Sequence, residues 1–170
     1  MSTTLQASVR MTTQWAYSNG LSPGASISND KVDYLASFAQ GTGAGQADTL
    51  YVTYGTLSGS GTLNVDLNGA VSDFFGNTVA MARLKSMQVS LLSTTSATSI
   101  LVGNGTNPFI NWVGSSTCTV RVRNGGCLCL CAVDATAYAV TASTGDILKI
   151  ANEDSVNVAT YQLAFIGASA

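Results

Sequence analysis

The side chains best suited to thiol or metal chemistry are those of Cys118, Cys127, Cys129 and Cys131. The last three alternate with leucines, so on a strand their thiols point to one face. Neighbouring cysteines on one strand face are poorly placed to bridge each other, and zinc sites normally use a C-x2-C spacing. We therefore interpret these cysteines as small buried residues of the core. A thiol or metal site and a disulfide to Cys118 are the alternatives.

Acid–base chemistry in this chain rests on carboxylates, because the sequence contains no histidine. That absence removes the Ser-His-Asp and Cys-His nucleophile systems and the commonest metal ligand. A glycosidase needs two carboxylates held roughly 5–10 Å apart, whereas most of those here stand in turns or at strand ends, where Asp normally caps the backbone. We predict a protein that is not an enzyme, without catalytic residues, metal or cofactor. The carboxylates weighed were Asp33, Asp48, Asp66, Asp73, Asp134, Asp146, Glu153 and Asp154.

Two further motifs resemble ligand sites. The run G-T-G-A-G at residues 41–45 has three phosphate-loop glycines but lacks the GK[ST] ending and a following helix pattern, so it predicts a loop. Asp66, Asn68 and Asp73 surround an Asn-Gly turn and offer oxygens to calcium, but they do not match an EF-hand loop. A hairpin turn is the better interpretation of that segment.

Charge is sparse: 9% of the residues are charged and 46% are hydrophobic, whereas about 25% are charged in an ordinary globular protein. So few charged residues suggest that the chain buries part of its surface in an assembly. The net charge is −2 and no basic stripe exists to neutralise phosphates, so we expect no nucleic-acid partner. Arg83 with Lys85, and Arg121 with Arg123, form the close basic pairs; each is read as a solvated or an interface pair.

Alternation of apolar and polar residues is the dominant local pattern. Residues 62–67 place Leu63, Val65 and Leu67 on one face, and residues 117–123 direct valines inward and arginines outward. Turn-forming segments separate such strands at regular intervals. The pattern predicts an all-β fold, an antiparallel β-sandwich of jelly-roll type. Tyr161, Leu163 and Phe165 share a strand face, which favours a core or subunit interface over a sugar-stacking platform for the aromatic residues.

The N-terminal segment differs from the rest, because a strand-like stretch is followed by the turn-rich SNGLSPGASISND. We predict that residues 1–30 form an extended arm or edge strand and residues 31–170 the sandwich domain. Trp15 is hard to bury locally and is the best candidate for an anchor on a partner. The predicted partner-binding residues are Trp15, Tyr17, Arg83, Lys85, Arg121 and Arg123. We expect no membrane association, since no apolar run approaches the roughly 18 residues of a spanning helix.

Residues 79–170 carry a recognisable series of segments. MQVSLLSTTSATSILVGNG is followed by NPFINWV, by the pair Gly125–Gly126 and by the closing TASTGDILKIANEDSVNVATYQLAFIGASA. This series resembles small jelly-roll structural proteins of tailed bacteriophages, most of all capsid cement (decoration) proteins. The sequence departs from that pattern at Arg123–Asn124, where a proline often precedes the glycines, and in its cysteine-rich strand.

The resemblance implies a structural virion protein that binds the outside of a mature capsid at capsomer junctions and stabilises it. Its partners would be the major capsid protein and further copies of itself, with a trimer favoured. It would be made in the cytoplasm of the host bacterium and end on the capsid surface. The alternative is a head-fibre, tail-tip or minor tail protein with a receptor- or glycan-binding role.

Overall fold

The computed structural model describes residues 4–18, 27–93 and 98–170, with side chains for 4–16, 30–93 and 98–170. Throughout these ranges the regular elements are β-strands, which confirms the predicted all-β class. The strands are β1 Ala7–Ser18, β2 Ile27–Gln40, β3 Gln46–Ala47, β4 Thr49–Leu57, β5 Thr62–Asp66, β6 Asn68–Ser72, β7 Thr78–Ala80, β8 Arg83–Leu91, β9 Ser99–Gly103, β10 Thr119–Arg123, β11 Cys127–Cys131, β12 Tyr138–Ala139, β13 Ile147–Asn152 and β14 Ala159–Ala168.

Two antiparallel sheets form the body of the fold, a β-sandwich. One has the order β11-β8-β14-β4, with β12 also bonded to β8, and the other has the order β10-β9-β13-β5. The pairs are nested: β9 bonds to β10, β8 to β11, β5 to β13 and β4 to β14. The chain therefore folds back on itself between β9 and β10. Strands before this point pair with strands after it, so that β4, the earliest of them, lies beside the last strand, β14.

The core lies between the inner faces of these sheets, as the alternation in the sequence predicts. Val65 of β5 and Val122 of β10 are buried, and Leu63 packs against the same cluster. Arg121 and Arg123 point outward from β10. In β14, Tyr161, Leu163 and Phe165 are all buried, with the Phe165 ring centroid 5.9 Å from that of Tyr51. Tyr161 and Phe165 are therefore core residues, because the inner faces of the two sheets exclude water from their rings.

The turn between β10 and β11 transfers the chain from one sheet to the other. Gly125 has φ +70°, a conformation that costs a residue with a side chain about 1–2 kcal/mol. A Cβ on Gly126 would lie 2.7 Å from the carbonyl oxygen of Arg123. The two glycines are therefore required by backbone geometry at this crossing.

The cysteines of β11 lie outside the main core, contrary to the assignment made from the sequence, although Cys131 packs against a second buried cluster on the outer face of the sheet. Leu128 and Leu130 pack against the core cluster, whereas Cys127 is exposed and Cys129 and Cys131 are partly exposed on the opposite face. All four cysteines are free thiols, so the alternative of a disulfide to Cys118 is also wrong. Leucine takes the inner face because it buries more apolar surface than cysteine at the same positions.

The N-terminal strands form a long antiparallel hairpin in which all twelve residues of β1 pair with β2, from Ala7 opposite Phe38 to Ser18 opposite Ile27. A short parallel pairing joins β2 to β3. Because β2 begins at Ile27, the predicted boundary at residue 30 lies within a strand; the division into arm and domain stays a prediction. Among the described residues, no helix is long and apolar enough to span a membrane.

Candidate interaction surface

The β1–β2 hairpin is amphipathic. In its register Val9 stands opposite Ala36 and Met11 opposite Tyr34, and such directly opposed residues share a face. Val32, two residues before Tyr34, lies on this face as well. We call this side the apolar hairpin face.

The opposite side of the hairpin is mainly polar, although it also carries the exposed Leu35, and it is organised around Asp33. Arg10 donates to both carboxylate oxygens, with distances of 3.1 Å from Nε and 2.6 Å from Nη2. Thr12 donates a further hydrogen bond at 2.8 Å, and Lys31 Nζ lies 3.4 Å away. The hydrogen bond from Arg10, followed by that from Thr12, holds the pKa of Asp33 well below its usual range. Asp33 is therefore ionised at neutral pH, and this side of the hairpin is suited to solvent.

The base of the apolar hairpin face is packed onto the sandwich. Ala36 and Phe38 are buried in a cluster with Ala47 and Ile166, against which Cys131 also packs. Ile166 belongs to β14, so the hairpin base lies on the outer face of the β11-β8-β14-β4 sheet. This contact fixes where the hairpin leaves the body.

The distal half of the same face carries exposed apolar side chains. Trp15 is 39% exposed, Val32 is 65% exposed, and Tyr34 is exposed to the same extent as Trp15. Tyr34 lies beside Cys131, and its interaction with that thiol together with burial raises the pKa of the phenol. The structure thus places Trp15 on the unpacked part of an apolar face, whereas the side chain of Tyr17 lies outside the described residues.

A groove of about 580 Å³ lies beside the outer face of β4 and the turn between β6 and β7. Leu50 and Val52 of β4 form one wall, and Phe74 and Phe75 the other. Phe74 is 92% exposed in the described chain. The apolar lining residues are Leu5, Leu50, Val52, Phe74, Phe75 and Val79. Sequence reasoning did not locate this groove, although a Phe-Phe pair beside turn residues is a signal for it.

Asp73 organises the turn that presents the two phenylalanines. Its carboxylate accepts hydrogen bonds from the backbone N–H groups of Phe75 and Asn77, both at 2.8 Å, and from the Asn77 side chain at 2.9 Å. These bonds, that from the Asn77 side chain first, lower the pKa of Asp73. The hairpin turn therefore lies at residues 73–77, between β6 and β7. The turn predicted at Asn68–Gly69 is wrong in position, because both residues belong to β6 and the chain turns just before them, where Asp66 accepts a hydrogen bond from the N–H of Asn68.

The two residues of the predicted pair Arg83 and Lys85 differ in burial, because Arg83 is partly exposed. Lys85 is fully buried, and its Nζ donates to the carbonyl oxygens of Gly43 at 3.2 Å and Asp134 at 2.5 Å. Burial, and next the nearby Arg83, lower the pKa of Lys85. Arg83 donates to the carbonyl oxygen of Ala135 at 2.6 Å. The expectation of a solvated or interface pair is therefore wrong for Lys85, which ties two loops together.

A β-bulge accounts for the direction of the Lys85 side chain, which points to the loop carbonyls and not into the core. On β14, Ile166 pairs with Ser86 whereas the next residue, Gly167, pairs with Leu84. Lys85 is thus the extra residue of β8, and a bulge changes the direction in which side chains point. The sequence pattern did not reveal the bulge.

The second predicted pair, Arg121 and Arg123, lies on the exposed face of β10. Arg121 forms a bidentate ion pair with Glu153, and this pair raises the pKa of Arg121. Ser99 donates to the same carboxylate at 2.7 Å. The structure therefore keeps the predicted residues apart, with Trp15 on the hairpin, Lys85 inside and the two arginines on the other sheet.

Within the described ranges, no group of three or more Cys, Asp or Glu side chains is arranged to hold a metal ion. No protein-family model matches the sequence, and no curated protein matches it. The structure thus presents two apolar surfaces, the distal hairpin face and the groove, on a β-sandwich with few charged residues.

Proposed function

We propose that this chain is a non-enzymatic structural protein of a tailed-bacteriophage virion, a cement protein. It binds the outside of the mature capsid at capsomer junctions and stabilises the shell. The observation that carries the proposal is the apolar hairpin face, whose base is buried on the sandwich while its distal half remains exposed. Exposed, contiguous apolar surface on a folded protein is typical of interaction sites.

The strand order supports the resemblance seen in the closing half of the sequence. Eight strands pair in a nested series around the β9–β10 connection and lie in two sheets, β11-β8-β14-β4 and β10-β9-β13-β5. We infer that this is a jelly roll, in which a long folded-back chain is wrapped into a sandwich. Viral capsid proteins use this architecture repeatedly, although fold alone does not specify function.

The hairpin has the chemistry of a contact arm. On its polar side Arg10 and Lys31 are both paired with Asp33, whereas the other face is apolar apart from Thr13 and Asp30 and is left to make contacts. Tryptophan and tyrosine are enriched among residues that dominate interface energetics, and truncating such an anchor typically costs about 2 kcal/mol or more of binding. Trp15 and Tyr34 are the anchors that this surface offers.

A homo-oligomer, with a trimer favoured, would use the hairpin several times at once. Linked weak contacts raise avidity without new chemistry. A protein that binds only the mature lattice stabilises that lattice by mass action. In this proposal the partners are the major capsid protein and further copies of the chain, the location is the capsid surface after synthesis in the host cytoplasm, and no nucleic acid or membrane is contacted.

The proposal is tested by mixing purified protein with procapsids and with expanded shells that lack it. We expect binding to expanded shells at a copy number proportional to capsomer junctions, together with a higher shell melting temperature. Binding to neither particle contradicts a cement role. A copy number of tens or fewer on intact virions, located at the tail, assigns the chain to the tail instead.

A matched pair of variants tests the hairpin. Val32→Ser removes an exposed apolar side chain from the hairpin face, and Val156→Ser removes one that is 81% exposed in the loop before β14. Both variants should keep the wild-type thermal stability. We expect Val32→Ser to weaken shell binding about tenfold and Val156→Ser to leave it unchanged. Equal affinities of the two variants contradict the hairpin assignment.

The groove favours one alternative, a receptor- or glycan-binding head fibre or tail component. Phe74 and Phe75 present exposed rings beside the carboxylate of Asp73, and aromatic rings are suited to packing against sugar faces. A glycan array distinguishes this role: glycan binding that is lost in Phe74→Ala and kept in Tyr54→Ala supports it. The absence of glycan binding by the wild-type protein contradicts it.

A further inference from the structure

Strand β11 lies at one edge of its sheet, and within the part of the chain that the structure describes it pairs only with β8. At one end of that pairing the N–H of Ala132 donates to the carbonyl oxygen of Lys85 at 2.8 Å. At the other end the carbonyl oxygen of Gly126 accepts from the N–H of Leu91 at 3.0 Å. Gly126 and Ala132 flank β11 on either side and both have even numbers, which establishes the phase of the hydrogen-bond ladder.

The odd-numbered residues of β11 direct their backbone groups towards the open edge of the sheet. In an antiparallel pair, residues alternate between those that bond to the neighbouring strand and those that do not. Because the even-numbered residues of 126–132 bond to β8, Cys127, Cys129 and Cys131 direct their N–H and C=O groups away from it. Such an edge is a template for another strand.

The sequence of this edge is self-complementary. Residues 127–131 read Cys-Leu-Cys-Leu-Cys in both directions. When two copies pair antiparallel about a two-fold axis at Cys129, that residue stands opposite itself and Cys127 stands opposite Cys131. On the core side, Leu128 stands opposite Leu130 of the second copy. Every position therefore meets a side chain of its own kind and size, and the contact is isologous, since both copies use the same residues.

The charges near this edge also suit a second copy. Residues 124–133 contain no charged side chain, so a two-fold contact brings no like charges together. Asp134, the first charged residue after this run, stands at opposite ends of the contact in the two copies, because the paired strands are antiparallel. The Asp134 carboxylate accepts bonds from Thr136 and Ala137, which lower its pKa to about 2 and keep it charged at neutral pH.

We propose that two copies of this chain associate edge to edge through β11, antiparallel and centred on Cys129, so that one sheet runs through both. The contact follows from β11 alone and does not depend on binding to a capsid. It is a two-fold contact, different in kind from the ring contacts of a trimer, and it joins two such rings or two free chains. Failure of shell binding and failure of this pairing are therefore separate results.

Single-cysteine variants test the register. Each keeps one of Cys118, Cys127, Cys129 and Cys131 and carries serine at the other three positions. Directly opposed hydrogen-bonded residues lie about 5.5 Å apart between Cα atoms, inside the disulfide range of about 4.4–6.8 Å. The oxidant diamide takes two electrons and two protons from a thiol pair, giving one disulfide and the reduced hydrazine.

The expected pattern is specific. The variant that keeps Cys129 should form a covalent dimer on a non-reducing gel about tenfold faster than the variant that keeps Cys118. Those that keep only Cys127 or only Cys131 should not dimerise alone, but an equal mixture of the two should. Equal rates for all four variants, or no dimer from the Cys129 variant, overturns the proposal.

A measurement without oxidation provides a second test. Cys129→Lys places two ammonium groups across the proposed axis, whereas Cys118→Lys places a charge on a cysteine outside β11. We expect wild type and Cys118→Lys to sediment as the β11-linked species, and Cys129→Lys to sediment at half that mass with an unchanged circular dichroism spectrum. The same mass for both lysine variants overturns the proposal.

Discussion

Arg121 and Glu153 form a bidentate ion pair in which the Nε–Oε2 and Nη2–Oε1 distances are both 2.7 Å. The pair joins the edge strand β10 to the residue that follows β13, across the intervening strand β9. Ser99 of β9 donates to the same carboxylate at 2.7 Å. Three segments of one sheet thus meet at a single carboxylate on its outer face.

Glu153→Gln should weaken the fold by about 1 kcal/mol or less at pH 7, because half of the Arg121 side chain is exposed. The hydrogen bond from Arg121, followed by the one from Ser99, lowers the pKa of Glu153. A lowered folded-state pKa stabilises the protein above the unfolded pKa, about 4.3, and this stabilisation is lost as the pH falls through the folded pKa. Urea unfolding should therefore show a smaller difference between wild type and variant at pH 3 than at pH 7.

Arg121→Leu in the Glu153→Gln background is the control for that measurement. The second substitution should cost less than Arg121→Leu alone, since the partner charge is already gone. Additive losses, or a difference that grows in acid, would contradict the role assigned to the pair.

Lys85→Met should lower the free energy of unfolding by about 1–3 kcal/mol, because it leaves the carbonyl oxygens of Gly43 and Asp134 without their donor. Amide hydrogen exchange should accelerate in residues 41–45 and 133–137. The matched control is Lys149→Met, at a partly exposed lysine of β13, which should change stability by about 0.5 kcal/mol or less. Equal effects of the two substitutions would show that Lys85 does not hold the loops.

Stability should also respond to alkaline pH through Lys85. Burial lowers the pKa of Lys85, so the unfolded chain binds this proton more tightly than the folded one. The wild type should therefore gain stability relative to Lys85→Met as the pH rises from the folded pKa towards the ordinary lysine value. An unfolding series at increasing pH that shows a constant difference would contradict this linkage.

Phe165→Ala should cost about 3–5 kcal/mol, the usual penalty for removing a buried aromatic ring from a core. The ring is fully buried and packs against Tyr51. Tyr54→Ala, on the adjacent strand β4 but largely exposed, should cost about 0.5 kcal/mol or less. Urea unfolding of the two variants makes the comparison, and a small loss for Phe165→Ala would place this ring outside the core.

Gly125→Ala should destabilise the fold by about 1–2 kcal/mol, because φ at this position is +70°. The control is Gly114→Ala, at a glycine where an added Cβ would meet open space and whose φ is not in the left-handed region. Thermal unfolding should separate the two variants. Equal stability would show that the β10–β11 turn adopts another backbone conformation.

The alternation of apolar and polar residues along the chain was sufficient to predict much of the fold. Strict alternation in residues 62–67 and 117–123 predicted both the strands and their buried faces, because side chains on a strand alternate with a period of two. The same reasoning failed at residues 127–131. Cysteine and leucine are both apolar, so the alternation there defines two faces but not which of them is inward; the larger leucines occupy the core.

The candidate site was predicted only in part. Trp15 was expected on a contact surface and lies on the exposed part of an apolar face. Lys85 was expected at the surface and is buried, because a bulge in β8 turns it towards two loop carbonyls. Nothing in the local spacing of charges reports a bulge, which arises from the register between β8 and β14.

The sequence by itself determined the all-β class, the positions of most strands and the polar or apolar character of their faces, since these depend on neighbours along the chain. The tertiary structure alone decided which strands pair, and therefore which ones lie at an edge. Pairing of β4 with β14 or of β1 with β2 is set by contacts between residues far apart in sequence. The open edge of β11 and the half-packed hairpin face, on which both proposals rest, follow from those long-range contacts.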